Sequence, residues 1–419
     1  MNAQAPSEMV NHKRLLLGFA LGTTLGVLAS LLLGPTSQPL EWVVRYVSEP
    51  IGKIFIRALL MLVIPIIFSA LVVGVSDLDL RQLGRLGLRT LGYTVVISTI
   101  AVLIGLGLTN FFQPGSGFST ELRDQARSSV SAAAPGTGST LDLIVAIVPS
   151  NPIQAAASGD MIGFIFFSAL FGIALALTRS EAAQTLKQMI QGLFDVSMKL
   201  IELVLKLAPI GVGMLLFTLT ARMGLTVLVQ LGAYVGVVLL GLGLHLFGVY
   251  ALSVKFFGGR APLQFFRDIR VALLTAFSTA SSNATLPTAL RVADENLKLP
   301  PHVSRFVLTA GATMNQNGTA LFEGVTVLFL AQVYGVPLAL SQQVLVMVIC
   351  ILAGIGTAGV PAGSLPVIAM ILGTLGVPPE GIGLIVGVDR LLDMCRTTVN
   401  VAGDLAAAVF VAKNEPSSA

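Results

Sequence analysis

Long apolar runs separated by short polar interruptions dominate the chain. The clearest cover Leu15–Gly34, Val43–Val75, Leu83–Phe112, Leu141–Leu177, Leu193–Leu219, Val227–Val254, Val307–Val333, Val344–Gly376 and Gly381–Val411. A helix crossing a bilayer needs about 20 apolar residues, so the longer runs must tilt, kink or break. The length then corresponds to roughly ten spanning or half-spanning helices plus loops. Two polar, small-residue tracts interrupt the C-terminal half: Ser278–Pro287 (STASSNATLP) and Gly354–Pro366 (GIGTAGVPAGSLP). Each carries a small residue followed by Ser or Thr, Leu and Pro. Non-helical backbone at membrane depth is tolerated only where it is buried in protein or lines a wet cavity. Two such tracts in corresponding positions of two repeats point to a transporter's binding site. The competing reading makes each tract a surface loop between complete spans, although the flanking halves are short for full crossings.

Composition supports a membrane protein. Of 419 residues, 54% are apolar and 11% charged, against about 25% charged in soluble domains. A soluble receptor or scaffold is excluded. The net charge of +4 is spread among loops and gives no sign of nucleic-acid binding. Lys13, Arg14, Arg81, Arg85, Arg89, Lys255, Arg260, Arg267, Arg270, Arg291, Lys298, Arg305 and Lys413 flank segment ends that can share one side. That side is expected to be cytoplasmic. The longest loop, Gln113–Thr140, reads as an external linker rich in Ser, Gly, Ala and Pro. Leu15–Gly34 is too long for a signal-peptide core and lacks a cleavage pattern, so a retained first span is expected. Cys350 and Cys395 lack metal-ligand spacing and read as small core residues.

The last apolar run carries Asp389, Asp393, Arg396, Asn400 and Asp404. At about 100° per residue these fall within roughly 80° of one helix face. Such groups inside a span are costly and normally face a protein interior on a substrate or ion path. The alternative is an ion-paired stripe that holds helices together, but the face has more acids than bases, which suggests a cation that comes and goes. A second cluster, Asn315–Thr319 (NQNGT), should unwind its helix and expose carbonyl oxygens suited to hard monovalent cations. Between Phe306 and Pro379 the only charged residue is Glu323. It is a candidate proton carrier, with a satisfied, hydrogen-bonded buried acid as the other reading. His245 is expected to be a packing residue with a hydrogen bond, and Arg390 to pair with Asp389 or a hairpin serine. A channel would need a continuous pore, for which proline-ended tracts are poorly suited. No HExxH or GxSxG motif indicates an enzyme.

The segments Ser281–Pro287, Gly311–Thr319, Gly359–Pro361 and Asp393–Asp404 resemble the dicarboxylate/amino acid:cation symporter family, which includes the excitatory amino acid transporters and bacterial glutamate/aspartate transporters. The resemblance extends over most of the chain. It implies an all-α membrane protein: eight transmembrane helices plus two re-entrant helical hairpins with inverted repeats, a homotrimer working as an elevator. The implied division is scaffold helices 1–2 in 1–75, transport-domain helix 3 in 76–112, and an external loop with scaffold helices 4–5 in 113–222. The transport core would occupy 223–412 and a cytoplasmic tail 413–419. The implied activity is symport of aspartate or glutamate coupled to sodium and/or protons. A proton-coupled C4-dicarboxylate transporter is the alternative. The implied location is the cell inner (plasma) membrane, multi-pass, with both termini cytoplasmic.

Carried onto this sequence, Arg396 would take the substrate's side-chain carboxylate, Asp393 its ammonium and Asn400 its α-carboxylate. Ser281, Ser282, Thr319, Val360 and Thr397 would complete the shell. Gly311, Asn315, Asn400 and Asp404 match one family sodium site. Thr313, Gly354, Ile355 and Thr357 match a second. At a third site Asn317 stands for the family's usual carboxylate and Ile97, beside Ser98, for its hydroxyl, so that site is expected to be lost or weak. Gln316 stands where Met is usual. Glu323 occupies the position of the eukaryotic relatives' proton-carrying glutamate. No cofactor is implied beyond coupling ions.

Overall fold

A computed structural model describes residues 12–76, 86–116, 148–158, 161–224, 226–356 and 364–413; the expected roles of Thr357 and Val360 lie outside them. Every regular element there is helical. In chain order they are α1 (His12–Leu33), α2 (Gln38–Val43), α3 (Glu49–Leu60), α4 (Val63–Ser76), α5 (Leu88–Phe112), α6 (Pro152–Ser158), α7 (Met161–Leu177), α8 (Glu181–Lys206) and α9 (Ala208–Met223). Then follow α10 (Thr226–Leu244), α11 (Tyr250–Phe256), α12 (Pro262–Thr279), α13 (Ser282–Glu295), α14 (Pro301–Met314), α15 (Asn317–Val333), α16 (Leu340–Gly356), α17 (Ser364–Thr374) and α18 (Ile382–Ala412). π-Helical turns at Val44–Ser48 and His245–Val249 join α2 to α3 and α10 to α11.

α1 has one uncovered apolar face and one packed face. Leu17, Leu21, Leu25, Leu28 and Leu32 are exposed along one face. On the other, Gly18 and Gly22 lie against the backbone of Pro209 and Gly213 on α9, where an added Cβ would stand only 2.1 Å from a carbonyl oxygen. Small residues let two helices approach closely where water supplies no hydrophobic drive between them. The large apolar side chains are turned outward, as lipid permits and water does not.

Among the described residues, four continuous helical stretches are long and apolar enough to cross a membrane: Gln38–Ser76, Leu88–Phe112, Val227–Phe256 and Pro379–Ala412. The pair α8–α9, bent by 54°, makes a fifth. The expected eight is therefore not reached by length and composition among the described residues. Two physical reasons account for part of the difference. α14 and α15 are separate helices of 14 and 17 residues because the chain leaves the helix at Asn315 and Gln316. α7, at 17 residues, is below the usual spanning length.

α18 is the axis of the C-terminal half, packed by α10, α11, α12, α13, α14 and α15. α5 lies along α15. The remaining helices form a second group: α1 runs along α9, α9 along α3, and α7 and α8 along α4. The groups meet where α9 and α1 touch α18. There Gly387 receives the Phe19 ring and Gly383 the Leu215 side chain. α17 is buried from Ser364 to Leu372 and touches α3 and α4, whereas α12 turns Val271, Leu274 and Phe277 outward. At one end of the molecule Arg260 donates to the Leu297 carbonyl and Lys413 to that of Phe256.

Candidate functional site

The two polar tracts begin new helices. Ala280 takes the left-handed conformation (φ 48°) and ends α12. Ser281 then caps α13, its hydroxyl accepting from the Ala284 N–H at 3.2 Å. Thr285 donates to the Ser281 carbonyl at 2.8 Å and meets Thr279 at 3.1 Å, tying the tip together. Thus Ser281 spends its side chain on the cap, as an N-cap serine does. The neighbouring Ser282 is buried, with no partner for its hydroxyl. Ser364, the first residue of α17, is likewise buried, with no hydroxyl partner among the described residues. α13 and α17, of 14 and 11 residues, are about 21 and 17 Å long, short of a 30 Å hydrocarbon core.

The break between α14 and α15 has an equally local cause. The Gln316 side chain donates to the Ala312 carbonyl at 3.0 Å, within the last turn of α14. A helix start leaves its first N–H groups without intrahelical partners. Those of Gly318 and Thr319 are taken by Asn400 Oδ1 on α18, at 2.8 and 3.4 Å. Asn400 Nδ2 donates to Thr319 Oγ1 at 3.1 Å and to Gln316 Oε1. Asn400 is therefore an N-cap supplied from another helix, and Gln316 is its direct partner. Gly318 permits this approach, since a Cβ there would stand 2.6 Å from the Arg396 carbonyl.

The stripe on α18 faces inward. Asp389, Asp393, Arg396, Asn400 and Asp404 are each at most 5% exposed, and Thr397 is buried beside them. Arg396 Nη1 donates to Asp389 Oδ1 at 2.9 Å; its Nε and Nη2 reach Asp393 Oδ1 at 3.0 and 2.9 Å. The guanidinium carbon sits 4.2 Å from the centroid of the Phe322 ring, a favourable cation–π contact. Arg390 Nη1 lies 3.5 Å from Asp393 Oδ2, so it pairs with Asp393 and not with Asp389 or a hairpin serine. Two acids thus face two bases, and the surplus negative charge expected on this helix sits at Asp404.

Asp404 Oδ1 accepts from Asn315 Nδ2 at 2.9 Å. It also lies against Gly311, where an added Cβ would stand 2.5 Å from it. Asn315 Oδ1 is buried without a partner. A carboxylate, an orphaned amide oxygen and a frayed helix end are hard oxygen donors suited to a hard cation. Around the second expected ion site, Thr313 Oγ1 donates to the Ala310 carbonyl at 3.0 Å. Gly354 ends near Gln316, its hypothetical Cβ 3.6 Å from the Gln316 carbonyl oxygen. Ile355 is on the last turn of α16.

At the third position Asn317 accepts from Ser98 Oγ and donates to Tyr250 OH at 3.0 Å. Ile97 is buried in the core. Neutral hydrogen bonds therefore occupy the Asn317 side chain. Glu323 is fully buried, and neither carboxyl oxygen has a hydrogen-bond partner among the described residues. The hydrogen-bonded alternative for it is not what the structure displays. His245 packs edge-on against Tyr250, with ring centroids 4.7 Å apart, but both ring nitrogens lack the hydrogen bond expected of them. Phe322, Gln316 and Asp389 are site neighbours that no sequence motif had assigned a role in holding substrate.

The sodium:dicarboxylate symporter family pattern matches residues 12–414. A proton/sodium-glutamate symport protein of Bacillus caldotenax is 34% identical over 410 residues, covering 95% of both chains. A proton/glutamate-aspartate symporter of Escherichia coli (strain K12) is 33% identical, covering 93% of this chain and 90% of that one. A C4-dicarboxylate transport protein of Rhodospirillum rubrum is also 33% identical, over 88% of this chain and 82% of its own. With the family pattern spanning nearly its whole length, this chain belongs to the sodium:dicarboxylate symporter family.

Proposed function

We propose that this protein is a secondary active symporter of acidic amino acids, aspartate or glutamate, driven by sodium and/or protons. The observation that carries the reading is the buried α18 face, where a guanidinium, two carboxylates and a separate cation-suited carboxylate stand beside the broken helix α14–α15. Arg396 would fork onto the substrate's side-chain carboxylate, since a planar guanidinium suits that geometry. Asp393 would receive the ammonium. Asn400, whose hydrogen bonds are committed to capping α15 and to Gln316 and Thr319, would reach the α-carboxylate by giving up one amide contact. Ser282, Thr319, Thr397 and the backbone near Val360 would line the remaining space, with Ser281 shaping it as a cap. The unpartnered Ser282 and Ser364 hydroxyls support polar cargo at the starts of α13 and α17.

Sodium would bind among the Gly311 carbonyl, Asn315, Asn400 and Asp404, and a second ion near Thr313, Gly354, Ile355 and Thr357. Glu323, whose carboxyl oxygens have no hydrogen-bond partner among the described residues, is the proton carrier of this proposal, because a buried acid without hydrogen bonds is better accommodated uncharged. The α18-centred helices would be the transport domain and the α1–α4 and α7–α9 group the scaffold. They would be arranged as eight spans and two re-entrant hairpins in a homotrimer of the inner membrane, with both termini cytoplasmic. Burial of α17 against α3 and α4, with α12 turned outward, fits one end-state of an elevator stroke.

Reconstituted protein in liposomes, given radiolabelled aspartate with sodium and pH gradients imposed separately, tests the reading. Uptake against a concentration gradient, abolished by Arg396→Ala, is the expected result; flux without concentration would indicate a channel. The C4-dicarboxylate reading predicts that succinate outcompetes aspartate and that Asp393→Asn spares its uptake.

A further inference from the structure

The outward face of α12 carries two positive charges that the described residues leave unanswered. Leu263, Arg267, Arg270, Leu274 and Phe277 follow one another at steps of four, three, four and three residues. At about 100° per residue they fall within roughly 80° of one helix face, and all five are exposed. Along the helix the face therefore runs from one apolar residue through two guanidinium groups to two more apolar residues.

Other exposed basic side chains of this fold meet an acid one turn away on their own helix, as Lys53 meets Glu49 and Lys199 meets Glu202. Arg267 and Arg270 have no such neighbour. Three and four residues from Arg267 stand Leu263, Gln264, Arg270 and Val271; from Arg270 they are Phe266, Arg267, Leu273 and Leu274. Neither arginine is in an ion pair among the described residues. Asp268 points about 100° and 160° away from them around the helix. Each arginine instead has the other one turn away, and like charges at that spacing repel. An anion seated between them removes the repulsion, and guanidinium groups suit a phosphate's oxygens.

The apolar residues decide what kind of anion. Leu274 and Phe277 stand about 6 and 10 Å along the axis beyond Arg270, and Leu274 is 67% exposed. Beside this face Phe247, 66% exposed, lies 5.5 Å from the Phe266 ring. A free phosphate would neutralise the arginines and leave these side chains uncovered. A phospholipid answers both needs with one molecule, and a zwitterionic headgroup would bring its own cation back to the pair. We propose that the outward face of α12 binds an anionic phospholipid, with Arg267 and Arg270 on the headgroup phosphate and Leu274, Phe277 and Phe247 against an acyl chain. The site is separate from the α18 face and does not depend on which cargo or coupling ion the protein carries.

Purified full-length protein in mild detergent is offered equal amounts of phosphatidylglycerol and phosphatidylcholine with matched chains, and retained lipid is measured by native mass spectrometry. Each basic group facing an anionic lipid is worth about fivefold in affinity. Wild type should retain phosphatidylglycerol preferentially, and the double variant Arg267→Gln/Arg270→Gln should lose on the order of tenfold or more of that retention. Arg267→Lys/Arg270→Lys, which keeps both charges, should hold most of it, and Leu274→Ser should weaken it. Excess glycerol phosphate, the same phosphate chemistry without chains, should not displace the lipid. Equal retention of the two lipids by wild type, or undiminished phosphatidylglycerol on the Gln variant, overturns the proposal. Displacement by glycerol phosphate overturns it in favour of a small-anion site. A changed subunit number in the Gln variant at constant lipid overturns it in favour of a contact between copies. Thermal unfolding checks that each variant is folded; if the double Gln variant is not, the two single Gln variants are read instead, each with an expected loss of about fivefold.

Discussion

Gly311→Ala is a one-carbon probe of the proposed cation site. The new Cβ would stand 2.5 Å from Asp404 Oδ1 and 2.9 Å from its Cγ. Ordinary contact begins at 3.4 Å, so the oxygen must retreat by about 0.9 Å, or the helices must part. Neither is easy: Asp404 is anchored by Asn315 at 2.9 Å, and α14 packs along α18. Overpacking of this kind costs about 1–3 kcal/mol. If that cost falls on the carboxylate's ability to meet a cation, the ion affinity drops about 5- to 150-fold. The assay is aspartate uptake by proteoliposomes as a function of external sodium and, separately, of pH. The half-saturating concentration of the coupling cation should rise at least fivefold, with maximal uptake at saturating cation much less affected. Asp404→Asn, which removes the charge without adding bulk, should lose the same dependence. If Gly311→Ala shifts neither sodium nor proton dependence, Asp404 is not a cation ligand, and the oxygen cluster around Asn315 is structural.

Arg396→Lys keeps a positive charge but cannot fork between Asp389, Asp393 and a substrate; aspartate uptake should fall at least tenfold while thermal unfolding shows a folded protein. Glu323→Gln keeps the shape of a buried side chain without hydrogen-bond partners among the described residues and removes its proton site. Its uptake should lose the pH dependence of wild type, and an unchanged profile removes Glu323 as the proton carrier. Asn317→Asp places a carboxylate between Ser98 Oγ and Tyr250 OH where the neutral amide now makes both bonds. Sodium activation of uptake should become steeper, and an unaltered sodium curve argues that these groups cannot form an ion site.

The breaks in the helices were visible in the sequence because they depend on local chemistry. Asn315 and Gln316 interrupt α14–α15, and Ser281 caps α13, with side chains that compete with the helical ladder. The inward stripe of α18 was legible for the same reason: one polar face in an apolar run must be buried by protein. Pairing within that stripe was missed although the spacing offered it: Arg390 reaches Asp393 three residues on, the neighbour an i,i+3 step provides and the adjacent Asp389 does not. Phe322 left no signal, because α15 is buried nearly all round and a uniformly apolar helix has no periodicity to mark the residue under a guanidinium. The Asn400 cap on α15 joins residues 82 apart and depends on how two helices cross. Length and composition do not reach the expected number of spans among the described residues, in part because the chain divides one long apolar run at Asn315.

Charge explains why the two parts of the site need each other. Asp389 and Asp393 are balanced by Arg390 and Arg396, so the substrate end of α18 is electrically closed before cargo arrives. Asp404 is eight residues beyond Arg396, about 12 Å along the helix. At that distance, with an effective dielectric constant of about 20, the guanidinium offers it only about 1.4 kcal/mol. A carboxylate taken out of water costs several kcal/mol, and its hydrogen bond from Asn315 supplies only part of that. The empty site therefore carries an uncompensated acid, and an acidic amino acid adds another negative charge. A polar core in that state would have to cross apolar surroundings with two charges unpaid. Monovalent cations bound at Asp404, as proposed, would remove that penalty, and cation and substrate would then favour one another through charge alone. Coupling in this reading is a property of the total charge of the buried face, which Asn400 holds against the helix break through Gln316 and Thr319.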